Sequence, residues 1–140
     1  MPLLANDTDG AVTRKRLETW VAKEEKVTIV AASDAATVQT AADLAGAGRV
    51  VYTMTPSTGR TLTTPTGAEL GTGFTDEAAG TSFEFTVVNV AAATHAITLT
   101  AGASGVTLGG VAGMATVAAS TSATFIGVFT AANTVTIYRK

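Results

Sequence analysis

Polar and apolar residues alternate with a period of two through most of the second half of the chain. Phe83, Phe85 and Val87 alternate with Glu84, Thr86 and Val88, and Ile97 and Leu99 with Thr98 and Thr100. Val135 and Ile137 alternate with Thr134, Thr136 and Tyr138, while Phe125 and Phe129 share a face across Gly127. Successive side chains of a strand point to opposite sides, so each of these segments predicts a strand with one buried and one open face. Strands are expected at 82–90, 95–101, 105–108, 114–118, 122–129 and 133–138, with Gly102, Gly105, Gly109, Gly110 and Gly113 at turns or bulges.

Upstream, strands are expected at 26–31 (KVTIVA), at 49–55 (RVVYTMT, stopped by Pro56) and at 60–63. Short helical turns are expected at 41–44, ended by Gly46 and Gly48, and at 65–70, with Pro65 near the start and a loop over 71–80. Short strands at this spacing predict an all-β fold, either an antiparallel β-sandwich or a jelly-roll-like barrel, with a short N-terminal helix and arm.

The beginning of the chain follows a different pattern. Residues 1–10 lack periodicity and predict an extended arm. Over 11–25, Leu17, Trp20 and Val21 recur with Glu24 at helical spacing, and Asp9 or Thr8 could cap the segment. That apolar stripe is narrow, so the helix needs a partner to be stable. Charge divides at the same place. Residues 1–26 hold ten charged side chains and residues 27–140, more than four times as long, also hold ten. The division predicts an arm and helix over 1–26, serving assembly or docking, and a β domain over 27–140. In the first segment Leu17, Trp20 and Val21 offer an apolar anchor, because Trp is enriched where binding energy concentrates. Arg14 and Arg16 could meet an acidic protein neighbour.

Ala and Thr each occur 27 times, and the strands' open faces carry Thr where Lys or Glu would be usual. No charged residue lies between Glu84 and Arg139. A β surface so poor in charge predicts contact with something other than bulk water, hence an assembly protein. The net charge of −2 supplies no field to recruit nucleic acid. The mean hydropathy of +0.35 comes from Ala, Val and Gly, and no run of 18 apolar residues exists, so no membrane partner is expected. MPLLANDTDG lacks the basic and apolar regions of a signal peptide. Without Cys there is neither a disulfide nor a thiolate.

Candidate chemistry is sparse. His95 is the only histidine and stands near no Ser or acid in a recognisable arrangement. Asp76 and Glu77 are adjacent, but Asp34 and Asp43 are far apart in sequence, and nothing matches a calcium loop; all four read as solvated loop acids. The 102–110 glycines lack the Lys-Ser/Thr of a phosphate loop and read as turns. No enzyme, cofactor or metal is expected.

From about Gln39 onward the chain resembles a family of tailed-bacteriophage structural domains. The resemblance lies in the order of five phrases: TAADLAGAGRVVYT, GRTLTTPTGAEL, GTSFEFTVVNVAAATHAITLTAG, TSATFIGVF and the closing TVTIYRK. In that family such phrases belong to β-rich domains of capsid decoration (cement) proteins and of head or tail fibres. The resemblance implies a non-enzymatic virion protein on the outer capsid surface, a homotrimer that stabilises contacts between major capsid protein subunits. It supplies no catalytic residue, and residues 1–26 lie outside it. The alternative is a fibre or adhesin module that binds a host-surface glycan. Tyr52, Tyr138, Trp20 and Phe74 are the aromatics expected near the surface for that role, and they do not cluster in sequence.

Overall fold

The computed structural model describes residues 26–140 apart from 47, 75–77 and 112. The arm and helix expected over 1–25, with Arg14, Arg16, Leu17, Trp20 and Val21, therefore lie outside the described residues, as do Asp76 and Glu77.

Ten strands and two short helices make up the described fold. In chain order they are β1 (Val27–Ala31), β2 (Thr37–Val38), α1 (Ala41–Gly46), β3 (Arg49–Met54), β4 (Arg60–Thr63) and α2 (Gly67–Gly73). There follow β5 (Ser82–Asn89), β6 (Ile97–Thr100), β7 (Val106–Leu108), β8 (Thr116–Val117), β9 (Thr121–Ala131) and β10 (Thr134–Arg139). A six-stranded sheet has the order β1-β3-β5-β9-β10-β7, and a four-stranded sheet the order β2-β4-β6-β8.

The fold is mostly β, as the period of two predicts, but the pairing differs from the antiparallel sandwich or jelly-roll-like barrel expected. Both sheets are mixed. In the larger one β1, β3 and β5 run parallel, with Ile29 beside Val51 and Val51 beside Thr86. In the smaller one β2, β4 and β6 run parallel, with Leu62 beside Leu99. The chain thus alternates between sheets and winds as a flattened coil, each turn laying one strand in each sheet. Parallel neighbours need a crossover, and here the crossover carries a strand of the facing sheet. Antiparallel pairing enters later. The β9–β10 hairpin inserts between β5 and β7, and β8 runs against β6. Alternation along a strand reports which face is buried and carries no information about its neighbour's direction, so the two architectures read alike in sequence.

The inward residues of both sheets form one core. Val50, Tyr52, Phe85, Phe125 and Ile137 come from the larger sheet, and Leu62, Ile97, Leu99 and Val117 from the smaller. Leu44 of α1 and Leu70 of α2 join this core, and the two helices pack on each other and on the larger sheet. A capping box starts α2. The Glu69 N–H donates to Thr66 Oγ1 at 3.3 Å and the Glu69 carboxylate accepts from the Thr66 N–H at 2.8 Å. Thr66 is the cap, so the helix begins later than Pro65 and runs on to Gly73, into the stretch expected as loop. Phe74 follows it and stacks on Phe83 at 4.9 Å.

Phe83 lies directly over Gly127. A methyl at position 127 would stand 2.3 Å from Phe83 Cζ, so Gly is the residue that lets the ring lie flat on β9. The ring also stacks on Phe85 and meets Phe129 edge-on. All five Phe of the chain share this cluster.

Candidate assembly surface

The outward positions of the larger sheet are set by its register. Ile29, Val51, Thr86 and Thr124 form one row across four strands. Ala31, Thr53, Val88 and Ser122 form the next. Ile126 stands beside Glu84 and Tyr138, and Val128 beside Ser82 and Thr136. Aliphatic and Thr side chains therefore dominate the face turned away from the core. Ile29 is 70% exposed and Val27 50%. Both lie on β1, an outermost strand whose far edge pairs with no other strand among the described residues.

The hydroxyls on this face do not all need water. Thr86 Oγ1 and Thr124 Oγ1 are 2.9 Å apart across the β5–β9 pair and hydrogen-bond each other. The smaller sheet repeats the device, with Thr63 Oγ1 and Thr100 Oγ1 also at 2.9 Å. Thr61, Thr98 and Thr116 continue its outer face, and Val38 is 64% exposed at its edge. Each pair shares one hydrogen bond, so covering it leaves one hydroxyl proton to be satisfied instead of two and costs less than covering two separate Thr.

Charge on the larger face is confined to one margin. The Lys140 ammonium donates to Glu84 Oε1 at 2.6 Å. Arg49 lines the same surface hollow as Glu84 and makes no ion pair among the described residues. Arg139 points the other way, its Nη1 donating to the Thr116 carbonyl at 2.8 Å and so joining β10 to the smaller sheet. Tyr138 is 44% exposed and lies against Gly109, where a methyl would stand 2.6 Å from the ring.

The other residues singled out in the sequence are placed as follows. His95 sits in the turn before β6, half-buried, with its backbone N–H on the Ala93 carbonyl. Among the described residues no group of three or more His, Asp or Glu could hold a metal ion, and no helix is long and apolar enough to cross a membrane. Asp34 is more than a solvated loop acid. Its carboxylate accepts from Arg60 Nε at 2.7 Å, Ser57 Oγ at 2.6 Å and the Ser57 N–H at 3.1 Å, which holds its pKa far below the carboxylate range. Asp43 lies near Tyr52, whose hydroxyl is pushed up first by burial and then by that carboxylate. Tyr52 is fully buried and Phe74 half-buried in the Phe cluster, so Tyr138 alone of the three described aromatics proposed for a sugar surface reaches one. Gly105, Gly110 and Gly113 adopt positive φ, as turn glycines do.

Sequence reasoning missed Asn89. It reads as the polar end of a strand, yet it is buried and fully used: Nδ2 donates to the His95 and Val117 carbonyls, and Oδ1 accepts from the Ala91 N–H. A lone Asn closing an alternating run beside Ala-rich sequence was the available signal.

Comparison with family models, with curated proteins and with solved structures gives no match to this chain.

Proposed function

We propose that this protein is a virion structural protein, a capsid decoration or cement protein that binds the outer shell as a homotrimer and stabilises contacts between major capsid protein subunits. The observation that carries the reading is the outer face of the larger sheet, where Thr hydroxyls pair with one another and exposed Ile29 and Val27 continue an aliphatic surface. Such a face loses little when water is excluded from it, and it favours contact with protein. The phrase order by which the chain resembles phage decoration and fibre domains points to the same reading. The mechanism is mechanical. A clamp repeated over a symmetric lattice gains avidity, so each contact can be weak, and a cyclic oligomer matches a shell site of the same symmetry.

The test is co-sedimentation with assembled shells. The expected result is binding to shells, little affinity for free capsid protein, and greater resistance of decorated shells to heat and low salt. Unchanged resistance would count against clamping.

Tyr138 favours a second reading, a fibre or adhesin module that binds a host-surface glycan. Its exposed ring beside Gly109 and Lys140 offers a platform next to a polar group. A glycan array that shows no ligand would remove this reading.

A further inference from the structure

We propose that the groove between α1 and α2 is a docking site for the chain's own residues 11–25, with Leu17, Trp20 and Val21 laid into it. The inference is independent of the assembly reading above. It assigns the apolar anchor of that segment to the same molecule rather than to a partner.

The first observation is the groove. Leu44 of α1 and Leu70 of α2 turn into the core, and between the two helices a hollow of about 780 Å³ opens to the surface. Seven of its eight lining residues are Ala, Gly or Thr, and Glu69 is the eighth. The solvent side of a surface helix is ordinarily polar. Here Ala42 and Ala68 are exposed, and Ala41 and Ala45 are half-buried. Side chains this small let a third helix come close, so that one large ring on it can fill the space between.

The second is the place where the segment joins the fold. The Arg49 N–H donates to the Lys26 carbonyl at 3.2 Å, so β1 and β3 start side by side. Gly46, which lines the groove, is three residues before Arg49, and the groove therefore begins within about 11 Å of it. Trp20 is six residues before Lys26, at most about 20 Å of chain and about 9 Å along a helix. The segment has only to turn back over α1. A tether this short keeps its effective concentration high, so a modest contact suffices.

The third is the match between segment and groove. The sequence of 11–25 predicts a helix with a narrow apolar stripe that needs a partner. From Leu17 to Val21 that stripe runs about 6 Å along the axis, and the six residues of α1 run about 9 Å, so a short stripe meets a short groove. Charge favours the pairing as well. The charged residues of α1 and α2 are Asp43 and Glu69, both negative, whereas residues 11–26 carry five cations against three anions.

Trp20 is the only Trp of the chain, so its fluorescence reads the site directly. The test is the emission maximum and acrylamide quenching of the full chain, of Ala42→Arg, of Ala68→Arg and of the double variant, each over a range of protein concentrations. Ala42 and Ala68 are exposed groove residues on different helices, so the added side chains fill the groove without entering the core. Val90→Arg, at an exposed position just past the far end of β5, is the control. Far-UV circular dichroism confirms that each variant folds, and Thr72→Arg, also exposed in the groove, replaces either single variant that does not. The expected wild-type emission is blue-shifted from that of the urea-unfolded chain and weakly quenched, equally at every concentration. Both single variants should shift it to the red and quench more strongly, the double variant most, and Val90→Arg should leave it unchanged. Wild-type emission at the unfolded position overturns the inference. A blue shift that survives the double variant also overturns it, because Trp20 is then buried elsewhere. So does a blue shift that grows with concentration, which would place the segment on a second copy.

Discussion

The side-chain amide of Asn89 donates to the His95 carbonyl at 2.8 Å and so fastens the end of β5 to the start of β6. The same nitrogen donates to the Val117 carbonyl of β8 at 3.0 Å, and Oδ1 accepts from the Ala91 N–H at 3.1 Å. One buried amide therefore spans both sheets where the coil crosses between them. Asn89→Ala removes three hydrogen bonds, two of them in a buried setting. Each stranded group costs about 1–3 kcal/mol, and relaxation recovers part of the total. A loss of about 3 kcal/mol in urea unfolding is expected. A loss under about 1 kcal/mol would mean that water reaches these groups and that the amide is not the link between the sheets.

Asp34 makes the stability depend on acid. Its side chain joins the loop after β1 to Ser57 and Arg60, one turn of the coil further along. The Arg60 hydrogen bond is the chief cause of its lowered pKa, followed by those from Ser57. A group whose folded pKa is depressed contributes stability above its unfolded value, and that contribution is lost as pH falls through the folded one. The unfolded value is about 3.9, so the loss begins near pH 4 and continues below it. Asp34→Asn removes the ionisable group. The variant should melt below wild type at neutral pH, and the gap should narrow steadily below pH 4. A gap that stays constant into acid would show that the carboxylate's charge contributes nothing.

The strands were legible in the sequence because their alternation survives wherever one face is buried. Phe83 to Val87, Ile97 to Leu99 and Val135 to Ile137 turn the expected side chains inward. Strand direction was not legible. β1 and β3 pair in parallel because β2 carries the chain through the facing sheet, and β2 is two residues long, too short to show a period. Gly127 was legible as a position between Phe125 and Phe129 but not as the seat of Phe83, which comes from another strand. The threonine face was visible as composition. The Thr86–Thr124 and Thr63–Thr100 hydrogen bonds across it depend on register, which no single strand encodes. The role of Asp34 was hidden for the same reason, since its partners lie 23 and 26 residues away.

Gly127→Ala tests the aromatic cluster. The added methyl would stand 2.3 Å from Phe83 Cζ and 2.6 Å from Cε1, so the ring must tilt away from β9. Phe74 and Phe85 stack on that ring and Phe129 meets it edge-on, which leaves it little room to move. Overpacking of this kind costs about 1–3 kcal/mol. Calorimetry should show the loss in Gly127→Ala and partial recovery in the double variant with Phe83→Leu, whose shorter side chain clears the methyl. Additive losses in the pair would show that the two positions do not compete for space.

Among the described residues, two buried side chains carry polar atoms without partners, and both lie beside α1. The Tyr52 hydroxyl is enclosed, and neither the nearby Asp43 carboxylate nor the Thr40 backbone closes a hydrogen bond to it by distance and angle. Gln39 sits just after β2 with its side-chain nitrogen and oxygen both enclosed and unpaired. An unpaired buried polar atom costs about 1–3 kcal/mol, so deleting it while keeping the shape should return part of that. Tyr52→Phe preserves the ring and its edge-on contact with Phe85 at 6.4 Å. It should raise the unfolding free energy by about 1 kcal/mol, and Gln39→Leu should do the same or slightly more, since two atoms are relieved. The two gains are expected to add if each group is independently unsatisfied. A loss in both single variants, with strong coupling in the double, would instead indicate one bound water shared between the hydroxyl and the amide, because removing either partner would then strand the other.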